Sequence, residues 1–126
     1  MKRHILVIDD EAEIRELLGQ FLNASGFLVT GASCRSEALT AVQQGRPDLI
    51  ISDLQLEDAD GLELITALKA SCPDSPVILL TGVLFEPGVV QSVLGAQGVQ
   101  YIPKTSPLTR ILEVVRTLLS GDKRAL

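Results

Sequence analysis

At 126 residues the chain has the size of one domain, and 46% hydrophobic with 21% charged residues excludes a disordered, collagen-like or repeat protein. Its 11 basic and 16 acidic residues leave a net charge of -5, which argues against direct nucleic-acid binding and makes an anionic membrane a poor partner. Cys34 and Cys72 stand alone, without the spacing of a zinc site or a disulfide framework, which points to a reducing compartment. Near the N-terminus, Ile5-Leu6-Val7-Ile8 is shorter than the roughly 7 to 15 apolar residues of a signal peptide, and no segment approaches the roughly 18 of a membrane span. A cytoplasmic protein is expected.

Short apolar runs alternate with amphipathic stretches, the pattern of parallel strands covered by helices on both faces. Ile5 to Ile8 is the first strand, and Ile14, Leu17, Leu18, Phe21 and Leu22 mark the inward face of the helix that follows, closed by Gly26. Phe27 to Ala32 is a more polar strand, expected nearer an edge. Ser33 or Ser36 is expected to cap the next helix, which carries Ala38, Leu39 and Val42, with Gly45 in a left-handed C-terminal cap before Pro47. Leu49 to Ser52 is the third strand. A third helix runs from about Gly61 to Ser71 with Leu62, Ile65 and Leu68 inward, and Pro73 and Pro76 then force a loop before the strand Val77 to Leu80. Pro87 opens a short fourth helix bearing Val89, Val90, Val93 and Leu94, and Gln100 to Pro103 is the fifth strand. Ser106 with Pro107 starts the last helix, whose face is Leu108, Ile111, Leu112, Val115, Leu118 and Leu119, and Gly121 ends it.

In open α/β sheets ligands bind beyond the carboxyl ends of the strands. At those ends stand Asp9 and Asp10, then Asp53, then Thr81 and Gly82, then Lys104. Carboxylates brought this close raise one another's pKa unless a cation sits among them, and oxygen ligands without nitrogen or sulfur favour a Mg2+-like ion. Lys104 and the Thr81 hydroxyl are then free to hold an anion, and a phosphoryl group uses metal, ammonium and backbone N–H donors together, the last from Gly82. Singly, each residue has a plainer role: Asp9 or Asp10 as a helix cap, Asp53 as a turn residue, Lys104 as a surface lysine. Their coincidence at four strand ends favours a site.

Ile5-Leu6-Val7-Ile8-Asp9-Asp10-Glu11, Asp48-Leu49-Ile50-Ile51-Ser52-Asp53-Leu54 with Asp60-Gly61, Leu80-Thr81-Gly82 and Tyr101-Ile102-Pro103-Lys104 together resemble the receiver domain of bacterial two-component response regulators. The resemblance implies a flavodoxin-like (βα)5 fold, a doubly wound parallel five-stranded sheet of order 2-1-3-4-5. It implies Asp53 as the phosphoacceptor for the phosphohistidine of a sensor histidine kinase or a phosphotransfer protein, and Asp9, Asp10, Asp53 and the Gln55 carbonyl as Mg2+ ligands. Thr81 matches the switch hydroxyl, Lys104 its ion-pair partner, and Tyr101 the aromatic that rotates inward on activation. Tyr101 also reads simply as a half-buried strand tyrosine. The output surface, and a homodimer through it, would lie on the face of the fourth helix, fifth strand and last helix.

Three positions depart from that pattern. Glu57 and Thr105 stand where the family usually has proline, and Gly82 where it commonly has alanine. Without proline a cis Lys104–Thr105 peptide would cost about 2.5 to 4 kcal/mol, so a trans bond is expected, with Pro103 and Pro107 stiffening the loop that presents Lys104 to Asp53. A haloacid-dehalogenase-type phosphatase would need an acid where Gln55 stands, and no glycine-rich nucleotide loop occurs. A phosphorylation-independent pseudo-receiver is the remaining alternative. The expected regulatory domain, not an enzyme acting on a separate substrate, spans 1–121, with 122–126 a short tail or the start of a linker.

Overall fold

The computed structural model describes residues 3–53, 55–56, 59–81 and 99–120. Five strands, β1 (His4–Ile8), β2 (Leu28–Ala32), β3 (Leu49–Asp53), β4 (Val77–Thr81) and β5 (Val99–Pro103), form one sheet of order 2-1-3-4-5 with every neighbouring pair parallel. The described helices are α1 (Ala12–Ala24), α2 (Arg35–Gln44), α3 (Gly61–Ser71) and a C-terminal helix (Leu108–Leu119). A short antiparallel pair, Gln55–Leu56 with Ala59–Asp60, follows β3. The fourth helix expected around Pro87 to Leu94, and Gly121, lie outside the described residues.

The core has two layers because successive strand residues point to opposite faces. Leu6, Ile8, Ile50, Val77 and Leu79 pack with Ala38, Val42, Leu64, Ile65 and Leu68 of α2 and α3. Ile5, Val7, Leu49, Ile51, Ile78 and Leu80 pack on the other face with Leu18 and Leu22 of α1 and Ile111, Val114 and Val115 of the C-terminal helix. The three central strands therefore read as unbroken apolar runs, whereas β2, at an edge, leaves Leu28 half exposed.

Helix ends depart from expectation at several points. Gly26 takes the left-handed backbone (φ 101), and Gly26 N–H bonds Asn23 O while Phe27 N–H bonds Leu22 O, a Schellman closure of α1. Gly45 does not: at φ -167 and ψ 115 it is extended. Neither Ser33 nor Ser36 caps α2. Cys34 holds the N-cap position, Ser36 lies inside the helix, and Glu37 reaches back so that its Oε1 accepts both the N–H and the hydroxyl of Ser33, at 2.7 and 2.6 Å. Those two bonds hold the Glu37 carboxyl below its ordinary pKa. Pro107 occupies the N-cap of the C-terminal helix in place of Ser106, without a side-chain cap bond.

Leu17 also corrects the pattern. It is 53% exposed, since one step of about 100° from Leu18 carries it to the margin of a face centred on Leu18 and Leu22. Replacing Leu17 by Gln is therefore expected to change stability by no more than about 0.5 kcal/mol in urea denaturation. In α3 the buried positions are Leu64, Ile65 and Leu68, and the side chain of Leu62 lies outside those described.

Candidate functional site

The register of the sheet brings the ends of β1, β3 and β5 together. Ile8 lies opposite Ser52, so Asp9 follows β1 beside Asp53 at the end of β3, and Lys104 follows Pro103 at the end of β5. Asp9 and Asp53 are buried, 2% and 4% exposed, and Lys104 retains 14% of its side-chain exposure.

Asp9 is held at each of its polar groups. Its N–H donates to Ala32 O at 3.0 Å, extending the β1–β2 ladder, and its Oδ1 accepts the Glu11 N–H at 2.9 Å. Its backbone carbonyl accepts Arg15 Nη1 at 2.7 Å, and Oδ2 lies 3.2 Å from Lys104 Nζ. The same ammonium donates to Asp53 Oδ2 at 2.9 Å and to Glu11 Oε1 at 3.1 Å. Lys104 thus meets three carboxylates. The Lys104–Thr105 peptide is trans, as expected from the missing proline, and Lys104 nevertheless reaches Asp53.

Carboxylate oxygens of Asp9, Asp10, Glu11 and Asp53 all lie within 4.8 Å of one another. Four negative groups face one ammonium, an imbalance that a divalent cation would relieve, and an all-oxygen donor set suits a hard ion such as Mg2+. Electrostatics agree. Burial raises the Asp9 carboxyl above its ordinary value; the Glu11 N–H and the Lys104 charge oppose this, while Asp53 adds to it. Burial also works against the charged form of Lys104, but hydrogen bonds to Asp53 and Glu11 and the charges of Asp9 and Asp53 more than offset it, so the ammonium holds its proton above the usual lysine range.

The other expected site residues are described less fully. Thr81 ends β4 opposite Pro103, and Gln55 sits opposite Asp60 in the short antiparallel pair, with both side chains outside those described. Gly82 and Glu57 lie outside the described residues. Tyr101 is half-buried in β5, opposite Leu79, against the core layer of α2 and α3. Glu11 joins the expected residues, and its one sequence signal is its place directly after Asp9 and Asp10.

A family model described as the response regulator receiver domain matches residues 5–116. The chain belongs to this family. It is 34% identical over 125 residues to the response regulator MprA of Mycobacterium ulcerans (strain Agy99), covering 98% of this chain and 53% of that protein. The domain thus spans about half the length of such curated relatives. Among solved structures, the chemotaxis response regulator CheY4 of Vibrio cholerae superposes with a TM-score of 0.84 at 25% identity, covering 94% of this chain and 100% of that one. NtrX of Brucella abortus superposes with a TM-score of 0.83 at 29% identity, covering 99% of this receiver domain and 29% of the NtrX chain. Among the described residues no helix is long and apolar enough to cross a membrane.

Proposed function

We propose that this receiver domain takes a phosphoryl group onto Asp53 from the phosphohistidine of a sensor histidine kinase or phosphotransfer protein in the cytoplasm. The observation that carries the reading is a buried Asp53 carboxylate 2.9 Å from the Lys104 ammonium, with oxygens of three further carboxylates within 4.8 Å. An Asp53 oxygen attacks phosphorus, the P–N bond to imidazole breaks, and its electron pair leaves with the imidazole nitrogen. Lys104 neutralises charge on the transferring oxygens. Asp9, Asp10, Asp53 and the Gln55 carbonyl would hold Mg2+, which when bound screens the acids from the incoming phosphoryl group and stabilises its charge. Gly82 offers a backbone N–H to the phosphoryl oxygens. Thr81 and Tyr101 couple the modified site to an output surface on the fifth strand and its flanking helices, where a second copy could dock, and phosphorylation shifts an existing equilibrium between surface states.

Acetyl phosphate tests the reaction without a cognate kinase. With Mg2+ present, intact-mass measurement is expected to find one added phosphoryl group, and with excess chelator none in the same time. Equal uptake in both conditions, or none in Mg2+, would contradict the reading. Binding to the native state should also raise thermal stability, by about 2.7 kcal/mol when Mg2+ is about 100-fold above its Kd. A melting midpoint independent of Mg2+ in the wild type, or an equal rise in Asp10→Asn, would remove Asp10 from the ligand set.

A further inference from the structure

Arg15 bonds to the backbone that carries the acid cluster. Its Nη1 donates at 2.7 Å to the carbonyl oxygen of Asp9, and that oxygen belongs to the peptide linking Asp9 to Asp10. A peptide unit is planar, so fixing its oxygen fixes a rotation that aims both neighbouring carboxylates. The N–H of Asp9 and its Oδ1 are tied to Ala32 and Glu11, and Arg15 holds the carbonyl end of the same residue.

The path that Arg15 follows is narrow. Its stem passes over Gly31 in β2, where an added Cβ would stand 3.2 Å from Arg15 Cδ and 3.3 Å from Cγ. A Cβ at position 31 therefore presses on the Arg15 stem, and a branched side chain presses on it harder. Gly31 has no positive φ, so the need for glycine here is one of space.

Resting on the Mg2+ reading above, we propose that Arg15 is a positioning residue that orients the Asp9–Asp10 peptide for the cation, and that Gly31 is the gap through which it reaches. A tie that merely fastened α1 to the sheet would make the same hydrogen bond, but its loss would lower stability and leave metal affinity unchanged. Outer-shell groups that orient ligands behave differently: removing one weakens metal binding by about 10- to 100-fold.

The test is a Mg2+ titration followed by backbone amide NMR shifts, whose dispersion also reports whether each variant is folded. Arg15→Met, which keeps the stem and removes the donors, is expected to bind about 10-fold more weakly than wild type. Gly31→Val should fall by a similar factor, and the double variant should be no weaker than Arg15→Met, because both remove one tie. Arg15→Lys should recover part of the loss. Val42→Ala, a core change away from the cluster, should lose stability and keep wild-type affinity. Wild-type affinity in Arg15→Met, or an equal loss in Val42→Ala, would overturn the inference and leave the metal reading standing; a wild type that takes up no Mg2+ would overturn both.

Discussion

Asp53→Asn should take up no detectable phosphoryl group from acetyl phosphate in Mg2+ and still fold. The amide keeps the shape of the carboxyl but lacks the negative oxygen that attacks phosphorus. The other buried carboxylate of the cluster, Asp9, has one oxygen bound to the Glu11 N–H and the other facing Lys104, so it is poorly placed to replace the nucleophile. Stability should hold because Lys104 keeps Asp9 and Glu11 as partners after the change. One buried negative charge is also removed from a crowded cluster, so without Mg2+ the variant should melt no lower than wild type. Intact mass and a melting curve on the same sample check both halves. Full uptake by Asp53→Asn would transfer the acceptor role to another residue.

Lys104→Ala is expected to have the next largest effect, in two separable parts. Loss of a preorganised cationic donor to charge developing in the transition state typically slows a reaction by about 10²- to 10³-fold, and phosphoryl uptake should fall by that order. Without metal, the variant also leaves the buried Asp9 and Asp53 with no ammonium between them. Hydrogen bonds to charged groups are worth about 1.5 to 3 kcal/mol, so urea denaturation in chelator should show a loss of roughly that size. Mg2+ should narrow the gap in stability, because it supplies the missing positive charge, but not restore the rate. A variant as fast and as stable as wild type would make Lys104 a bystander.

Fold and site were legible in the sequence to different depths. The three central strands appear as unbroken apolar runs at 5–8, 49–51 and 77–80 because parallel strands covered on both faces bury the side chains on both, and that burial leaves its mark residue by residue. Strand ends were equally readable, which is why Asp9, Asp53 and Lys104 could be expected on one rim before their separations were known. Helix boundaries were less so. Gly26 and Gly45 look alike in sequence, yet the Leu22 and Asn23 carbonyls wrap only the first into a left-handed turn, while the second is extended. Ser33 likewise resembles a cap, but the direction of its bond is set by Glu37 one turn later. Leu17 satisfies helical spacing and still faces outward, since spacing alone cannot say where the edge of the covered face falls.

Within the site, Glu11 and Arg15 were hidden for a related reason. Glu11 joins through a long exposed side chain folding onto Lys104, and Arg15 through a bond to a backbone carbonyl. Neither leaves a residue-type pattern. Their contacts, Glu11 with Lys104 and Arg15 with the Asp9 carbonyl, appear only in the folded chain.

The most direct measurement is the address of the phosphoryl group. Wild-type protein treated with acetyl phosphate and Mg2+, reduced with borohydride so that the acyl phosphate loses phosphate and leaves a homoserine alcohol as its label, and digested for peptide mass mapping, should carry that label at Asp53 alone. A label at Asp9, Asp10 or any other residue, or an unlabelled Asp53 in protein shown to be folded, would contradict the account.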